Sequence, residues 1–303
     1  MSENLLAATR GESRVALVTC AEIPGLEDDD RLLLGALAAR GVPAEPVVWD
    51  APDVDWANYE LVVLRSPWDY VPRRDEFVAW AQRVPNLVNP ADIIGWNTDK
   101  RYLAELAGAG VPVVPTSWIE PGDAWTPPTD GEWVVKPAVS AGSKDTGRYD
   151  LSDVEHRRLA VEHVGRLQAA SRLVMVQPYL SAVDSVGETA LLYFTGPDGP
   201  VFSHAIRKDA MLTGPDLGVD GLYKEEKIDA RTGTDAELAV AEKVLVAVPG
   251  GADRLLYARV DLIPGPGGAP LLVELELTEP SLFLGYEVGA ADRLADAILA
   301  RLA

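Results

Sequence analysis

Three short apolar runs in the first third of the chain, RVALVTC (14–20), PVVW (46–49) and LVVLRS (61–66), alternate with helical stretches. The first of these, RLLLGALAARG, follows Asp28, Asp29 and Asp30 and ends at Gly41; the second is RRDEFVAWAQRV. Acids at a helix start complement the partial positive charge there, and glycine supplies the stop. Interleaved strand and helix signals predict a parallel sheet covered on both faces, since parallel neighbours need a crossover connection. Ligands collect at the carboxyl ends of such strands. The loop RSPWDY (65–70) is placed there, so Arg65, Ser66 and Asp69 are candidate substrate contacts, with loop capping as the plainer role.

The pattern changes beyond the proline- and acid-rich linker WIEPGDAWTPPTDGE (118–132). WVVKPA, LVMVQPYL, ETALLYF, PVFSHAIRK, LLYARVDLIP and PLLVELEL are strands of mostly alternating character. Helices are expected near 152–169 and 235–247 and over the closing AADRLADAILARLA. Clustered strands with few helices imply an antiparallel α+β portion. The fold class is therefore α/β followed by α+β, divided as 1–96, 97–175 and 176–303. A helix–glycine–strand connection is used twice, in LAARGVPAEPVVW (37–49) and LAGAGVPVVPTSW (106–118). YKEEKID (223–229) reads as a solvated loop able to lie over a site, and MSENLLAATRGES as a tail without the features of a secretory signal.

With 47 acidic and 27 basic residues the net charge is −20, which argues against a nucleic-acid backbone or an anionic membrane as main partner. A local cluster of lysines and arginines can still bind a small anion. No run approaches the ~18 apolar residues of a membrane helix. The single cysteine, Cys20, permits no internal disulfide and ends an apolar strand, so a buried thiol and a cytoplasmic location are expected. A homo-oligomer is left open.

YARVDLIP (257–264) and PLLVELEL (270–277) flank the turn-rich GPGGA, which makes a hairpin. Side chains alternate along a strand, so Glu274 and Glu276 share one face while Leu275 and Leu277 take the other. Folding about the turn pairs positions whose numbers sum to 534 or 535, which sets Asp261 against Glu274 or its neighbour and Arg259 near Glu276. Three carboxylates so close repel one another unless a cation neutralises them. A divalent ion of the magnesium type suits such oxygen donors. A solvated strand face or a calcium-stabilised structural hairpin would have the same pattern.

WVVKPAVSAGSKDTGRY (133–149) is a strand bearing Lys136 that runs into a loop of small residues, where backbone N–H groups can approach phosphate. No GK[ST] tripeptide follows at phosphate-loop spacing, and the dinucleotide fingerprint is missing after the first strand.

Taken in order, these pieces resemble the ATP-grasp ligases, in particular the branch near the glutathione synthetases and RimK-type ligases, and the resemblance implies an ATP-grasp fold. Lys100 in NTDKRYL and Lys136 in WVVKP resemble the two nucleotide-contacting lysines, and Ser140, Ala141 and Gly142 the loop over the phosphates. VQPYL resembles the hinge where Gln177, Tyr179 and Leu180 meet adenine, with Asp184 at the ribose. RVDL and LVELEL resemble the metal-binding strands, which implies Asp261, Glu274 and Glu276 as magnesium ligands. Two departures stand out: the family usually has asparagine where this chain has Glu276, and often an arginine in the strand matching GETALLYF. RSPWDY, GETALLYF, FSHAIRK and ELELTEPSLF further resemble the ATP-grasp enzymes of cycloserine biosynthesis, which cyclise O-ureido-serine.

The resemblance implies an ATP- and Mg2+-dependent ligase joining carboxylate to amine through an acyl phosphate, acting on a small amino-acid-like substrate. Its most specific form is ring closure of O-ureido-D-serine to D-cycloserine. Ligation of two separate amino acids or peptides, and a nucleotide-binding regulator without catalysis, are the rivals. Arg259, Arg207 and Lys208 would stabilise the transferring phosphate, and Glu188 would meet the substrate amine. His204 is expected to be packed and hydrogen-bonded, and His156 and His163 to lie exposed without a role.

Overall fold

The computed structural model describes residues 14–216 and 227–302. The tail 1–13 and the first four residues of YKEEKID lie outside the described residues. The first third runs β1 (Val15–Thr19), α1 (Asp28–Ala39), β2 (Ala44–Val48), β3 (Leu61–Ser66), α2 (Arg74–Ala81), β4 (Leu87–Val88) and α3 (Ala91–Asn97). Its sheet is parallel throughout, in the order β2-β1-β3-β4, and every residue of β1 and β3 is buried. Continuous apolar runs fit that position, because both faces are covered. Trp49, Phe77 and Trp80 pack on one face. Leu33 and Leu37 of α1 cover the other.

The middle of the chain runs α4 (Tyr102–Gly108), β5 (Ser117–Ile119), β6 (Glu132–Pro137), β7 (Gly147–Asp150), α5 (Val154–Ala169) and β8 (Val174–Pro178). Its strands form an antiparallel sheet, β5-β8-β6-β7, backed by Ala160, Val164 and Leu167 of α5. The division expected at 176 falls inside β8, which pairs along its length with this sheet.

The remainder runs α6 (Val183–Val186), β9 (Glu188–Gly196), β10 (Gly199–Lys208), β11 (Ile228–Arg231), α7 (Asp235–Val246), β12 (Tyr257–Pro264), β13 (Pro270–Glu276) and α8 (Ala290–Leu302). A five-stranded antiparallel sheet results, β11-β10-β9-β12-β13. One face lies beneath α7, and the other shares a core with the parallel domain through Leu192, Phe194, Ile206, Val15 and Leu17. α8 returns to α1, where Arg40 reaches Asp296 at 2.6 Å and Asp292 at 2.8 Å. Among the described residues no helix is long and apolar enough to cross a membrane.

The hairpin β12–β13 uses both expected registers. Arg259 faces Glu276 and Asp261 faces Glu274, after which a bulge shifts the pairing so that Leu262 faces Leu272. Val273 is the extra residue, and bulges of this kind re-aim side chains next to functional sites. Two asparagine amides dock the hairpin on the first domain. Asn89 Nδ2 donates to the carbonyls of Tyr257 (3.0 Å) and Leu277 (2.7 Å) and its Oδ1 accepts from Leu256 N–H. Asn97 donates to Leu275 O and accepts from Leu277 N–H, each at 2.8 Å. Each amide stands in for a neighbouring strand, so backbone groups that would otherwise be buried unpaired are satisfied.

Candidate active site

A cavity of about 400 Å3 opens where the three sheets meet. β6 and the loop after it bring Lys136, Ser140, Ala141 and Gly142 to its wall; β8 and the following turn bring Gln177, Tyr179 and Leu180. β13 contributes Glu274 and Glu276, β12 contributes Arg259, and the ends of β9 and β10 contribute Glu188 and Lys208. Lys100 enters from the turn before α4.

These side chains form one alternating charge network. Lys100 Nζ lies 3.0 Å from Glu274 and donates to the Ser140 carbonyl at 2.8 Å, which ties the small-residue loop to the hairpin. Lys208 Nζ bridges Glu188 (2.5 Å) and Asp261 (2.8 Å). Arg259 donates to both oxygens of Asp261 and also pairs with Glu276. Burial raises Asp261, but Arg259 and Lys208 outweigh it and hold the carboxyl below the usual carboxylate range. Glu274 is lowered likewise against burial by Lys100 and Lys136. Glu276 behaves oppositely: burial pushes it up to about 8 although Arg259 opposes the shift. Lys136 is buried and depressed below an ordinary lysine by desolvation; among the described residues it forms no ion pair. A buried, unpaired ammonium on a cavity wall suits an incoming anion, which would restore its charge balance.

The N-terminal domain of D-cycloserine synthetase DcsG, as a family, matches residues 15–89. The cycloserine biosynthesis protein DcsG of Streptomyces lavendulae is 41% identical over 306 residues, spanning 95% of this chain and 98% of that protein. The chain belongs to the DcsG family. A crystal structure of D-cycloserine synthetase DcsG matches with a TM-score of 0.81 at 38% identity, over 95% of this chain and 99% of the other. The fold extends to the RimK domain ATP-grasp protein of Sphaerobacter thermophilus (TM-score 0.63, 20% identity, 94% and 99% of the two chains). It extends also to a D-alanine–D-alanine ligase from Bacillus anthracis (0.59, 12%, 96% and 97%). Like its DcsG relatives, the chain is an ATP-dependent ligase with an ATP-grasp fold; solved structures of that fold include one complexed with ATP and one with Mg and ADP.

Six of the residues expected at the site lie elsewhere than the cavity wall; one, Asp261, is buried just behind it, held by Lys208 and Arg259. Arg65 is wholly enclosed, with Nε 2.9 Å from Asp30 and its guanidinium over the Tyr257 ring. Ser66 shares a 3.1 Å hydrogen bond with Thr19, and Asp69 accepts from Trp49 Nε1 (2.8 Å) and pairs with Arg73 (2.7 Å). Arg207 sits on the face of β10 opposite Lys208, where it pairs with Asp209 and donates to the Val186 carbonyl. Strand alternation separates these two neighbours. Asp184, on α6, accepts from the Tyr179 hydroxyl and lies 3.3 Å from Arg148, at the rim beside the hinge.

Asp261, Glu274 and Glu276 supply hard oxygen donors on facing strands, and their present partners are cations suited to phosphate. Donors of that kind would suit a magnesium-type ion. Among the described residues, the one group whose ligand atoms all lie within 4.8 Å is a different set, Cys20, Glu22 and Asp69.

Other side chains sharpen the picture. His204 is packed, with Nε2 3.0 Å from the Leu282 carbonyl, as its strand position implies. His163 is buried rather than exposed: its Nδ1 lies 2.8 Å from the Tyr149 hydroxyl. It follows Ala160 by three and precedes Leu167 by four, so the apolar stripe of α5 already marked it. Glu279, Tyr70 and Glu27 also line the cavity. Glu279 falls off the alternation of β13, which is the signal that it follows a turn. Burial pushes Glu279 and Glu27 each up to about 7.

Proposed function

We propose that the enzyme closes O-ureido-D-serine to D-cycloserine at the expense of ATP. The observation that carries this reading is the likeness to DcsG along nearly the whole chain, 95% of it at 41% identity. The cavity supports it with a cation-rich wall beside an acid-rich one. Adenine would lie against the hinge at Gln177, Tyr179 and Leu180, with Asp184 near the ribose. Lys100, Lys136 and the backbone of Ser140, Ala141 and Gly142 would take the phosphates. Asp261, Glu274 and Glu276 would hold magnesium, which supplies charge neutralisation at the phosphate oxygens.

The substrate carboxylate attacks the γ-phosphorus of ATP; ADP leaves and an acyl phosphate forms. The ureido nitrogen bonded to oxygen then attacks the acyl carbon, loses its proton and expels phosphate, which closes the ring; water then takes the carbamoyl group from that nitrogen as carbamate, which breaks down to carbon dioxide and ammonia. Protein groups position and neutralise in both steps. Arg259, fixed by two acids, donates to the carbonyl oxygen as it becomes an oxyanion. Lys208 draws charge from the transferring phosphoryl group.

The test is ADP release measured over a panel of small amino acids and ureido amino acids, with product mass spectrometry. Magnesium-dependent ADP release on O-ureido-D-serine alone, with a product of the mass of D-cycloserine, is expected. A requirement for a separate amine would replace the cyclase with a two-substrate ligase. ATP binding without turnover on any acid would leave the regulator.

A further inference from the structure

After β13 the chain turns through Thr278, Glu279, Pro280 and Ser281, and the end of β3 with the loop after it reaches that turn with three side chains. Arg65 Nη2 donates to the Pro280 carbonyl at 2.7 Å, and Trp68 Nε1 donates to the Glu279 carbonyl at 3.0 Å. The buried Tyr70 faces the Glu279 carboxylate, and both line the cavity. Arg65 and Tyr70 are buried, and Asp30 fixes Arg65 in turn. From the other side, Arg259 Nη1 donates to the Ser281 carbonyl at 3.1 Å. A turn tied at three successive carbonyls has a set side-chain direction, and Glu279 lines the cavity.

Glu274, Glu276 and Glu188 line the same cavity and each pairs with a lysine or arginine. Among the described residues no lysine or arginine forms an ion pair with Glu279 at contact distance, although Lys100 and Arg259 act on it from further away. Glu27 shares that lack, but at the N-cap of α1 it makes no side-chain cap hydrogen bond, so its carboxylate is not anchored as the turn anchors Glu279. Glu279 is thus an anchored carboxylate that a ligand cation would complete. An α-amino acid carries its ammonium one carbon from the carboxylate that becomes phosphorylated, so an ammonium site must adjoin the charge network. Arg259 links the two places, bonded to Asp261 and Glu276 and to Ser281, two residues from Glu279.

We propose that Glu279 is the counter-ion of the substrate's α-ammonium group, with Tyr70, Trp68 and Arg65 as its positioning residues; the assignment rests on the cyclase reading. The role first expected of the RSPWDY loop, substrate contact, is then exercised through the turn it holds.

Glu279→Gln keeps the shape and removes the charge. Its KM for O-ureido-D-serine should rise about 10- to 100-fold while KM for ATP stays within about twofold of wild type. On 3-(ureidooxy)propanoate, the same acid without its amine, variant and wild type should agree in kcat/KM within about threefold. Tyr70→Phe should show a smaller rise that also vanishes with the amine-free acid. Unchanged KM for the amino acid in Glu279→Gln, or equal impairment on both acids, overturns the ammonium assignment alone. Wild-type protein that releases no ADP with O-ureido-D-serine overturns the cyclase reading and this assignment with it.

Discussion

Two buried arginines reach the same turn from opposite sides. Arg65 ends β3, pairs with Asp30 and donates to the Pro280 carbonyl. Arg259 lies on β12, pairs with Asp261 and Glu276 and donates to the Ser281 carbonyl. Their chemistry is alike, but their surroundings differ: Arg65 is sealed by Asp30 and the Tyr257 ring, whereas Arg259 lines the cavity. An ion pair closed on all sides can only support structure. One with an open side can hand its charge to a ligand. Ion-pair chemistry alone therefore does not mark a functional arginine; access does.

The largest effect should come from breaking the sealed pair. Arg65→Met leaves Asp30 buried without its partner and should destabilise the fold by about 3–5 kcal/mol, read by chemical denaturation. Arg65→Met combined with Asp30→Leu should recover part of that loss, because an apolar pair removes the stranded charge. The open pair should respond in rate. Arg259→Gln should lower kcat by about 100- to 1000-fold, roughly 3 kcal/mol, and leave the melting temperature nearly unchanged. A variant that unfolds instead would place Arg259 in the same class as Arg65.

A buried histidine sharpens the contrast between sealed and open groups. Burial lowers His163 to about 4, against an ordinary value near 6.5. The unfolded chain therefore binds a proton that the folded one excludes as pH falls through 6.5 toward 4. Stability present above that window should fall by up to about 2–3 kcal/mol within it, and His163→Gln should flatten this limb in melts taken across pH. The exposed end of the scale is Arg40, whose partners Asp292 and Asp296 are more than half exposed. Arg40→Ala should alter stability by less than about 1 kcal/mol.

Much of this was legible along the chain where a local period governs. The two-residue period and the GPGGA turn left only a one-step ambiguity in the hairpin, and the bulge at Val273 explains why both registers occur. The same period separates Arg207 from Lys208, although both had been assigned to one phosphate. The lysines at 100 and 136 and the loop between 140 and 142 were legible through order and resemblance. Long-range choices were not. Nothing near Arg65 announces that Asp30, on α1, will enclose it. Asn89 and Asn97 look like loop polar residues until the hairpin arrives to use their amides. β11 escaped because IDAR is only four residues long, too short for its alternation to stand out, and pairs only through β10.

The central claim is that the acids of β12–β13 work through cations and phosphate and do not hold the fold together. Glu274→Gln tests it most directly, since Lys100 is its ion-pair partner at 3.0 Å and Ser140 still anchors that lysine. ADP release with O-ureido-D-serine and the melting temperature should be measured on the same preparation. The account predicts ADP release reduced by at least about 1000-fold with a melting temperature within about 2 °C of wild type. A large fall in melting temperature with ADP release retained would contradict it and make the acidic hairpin structural.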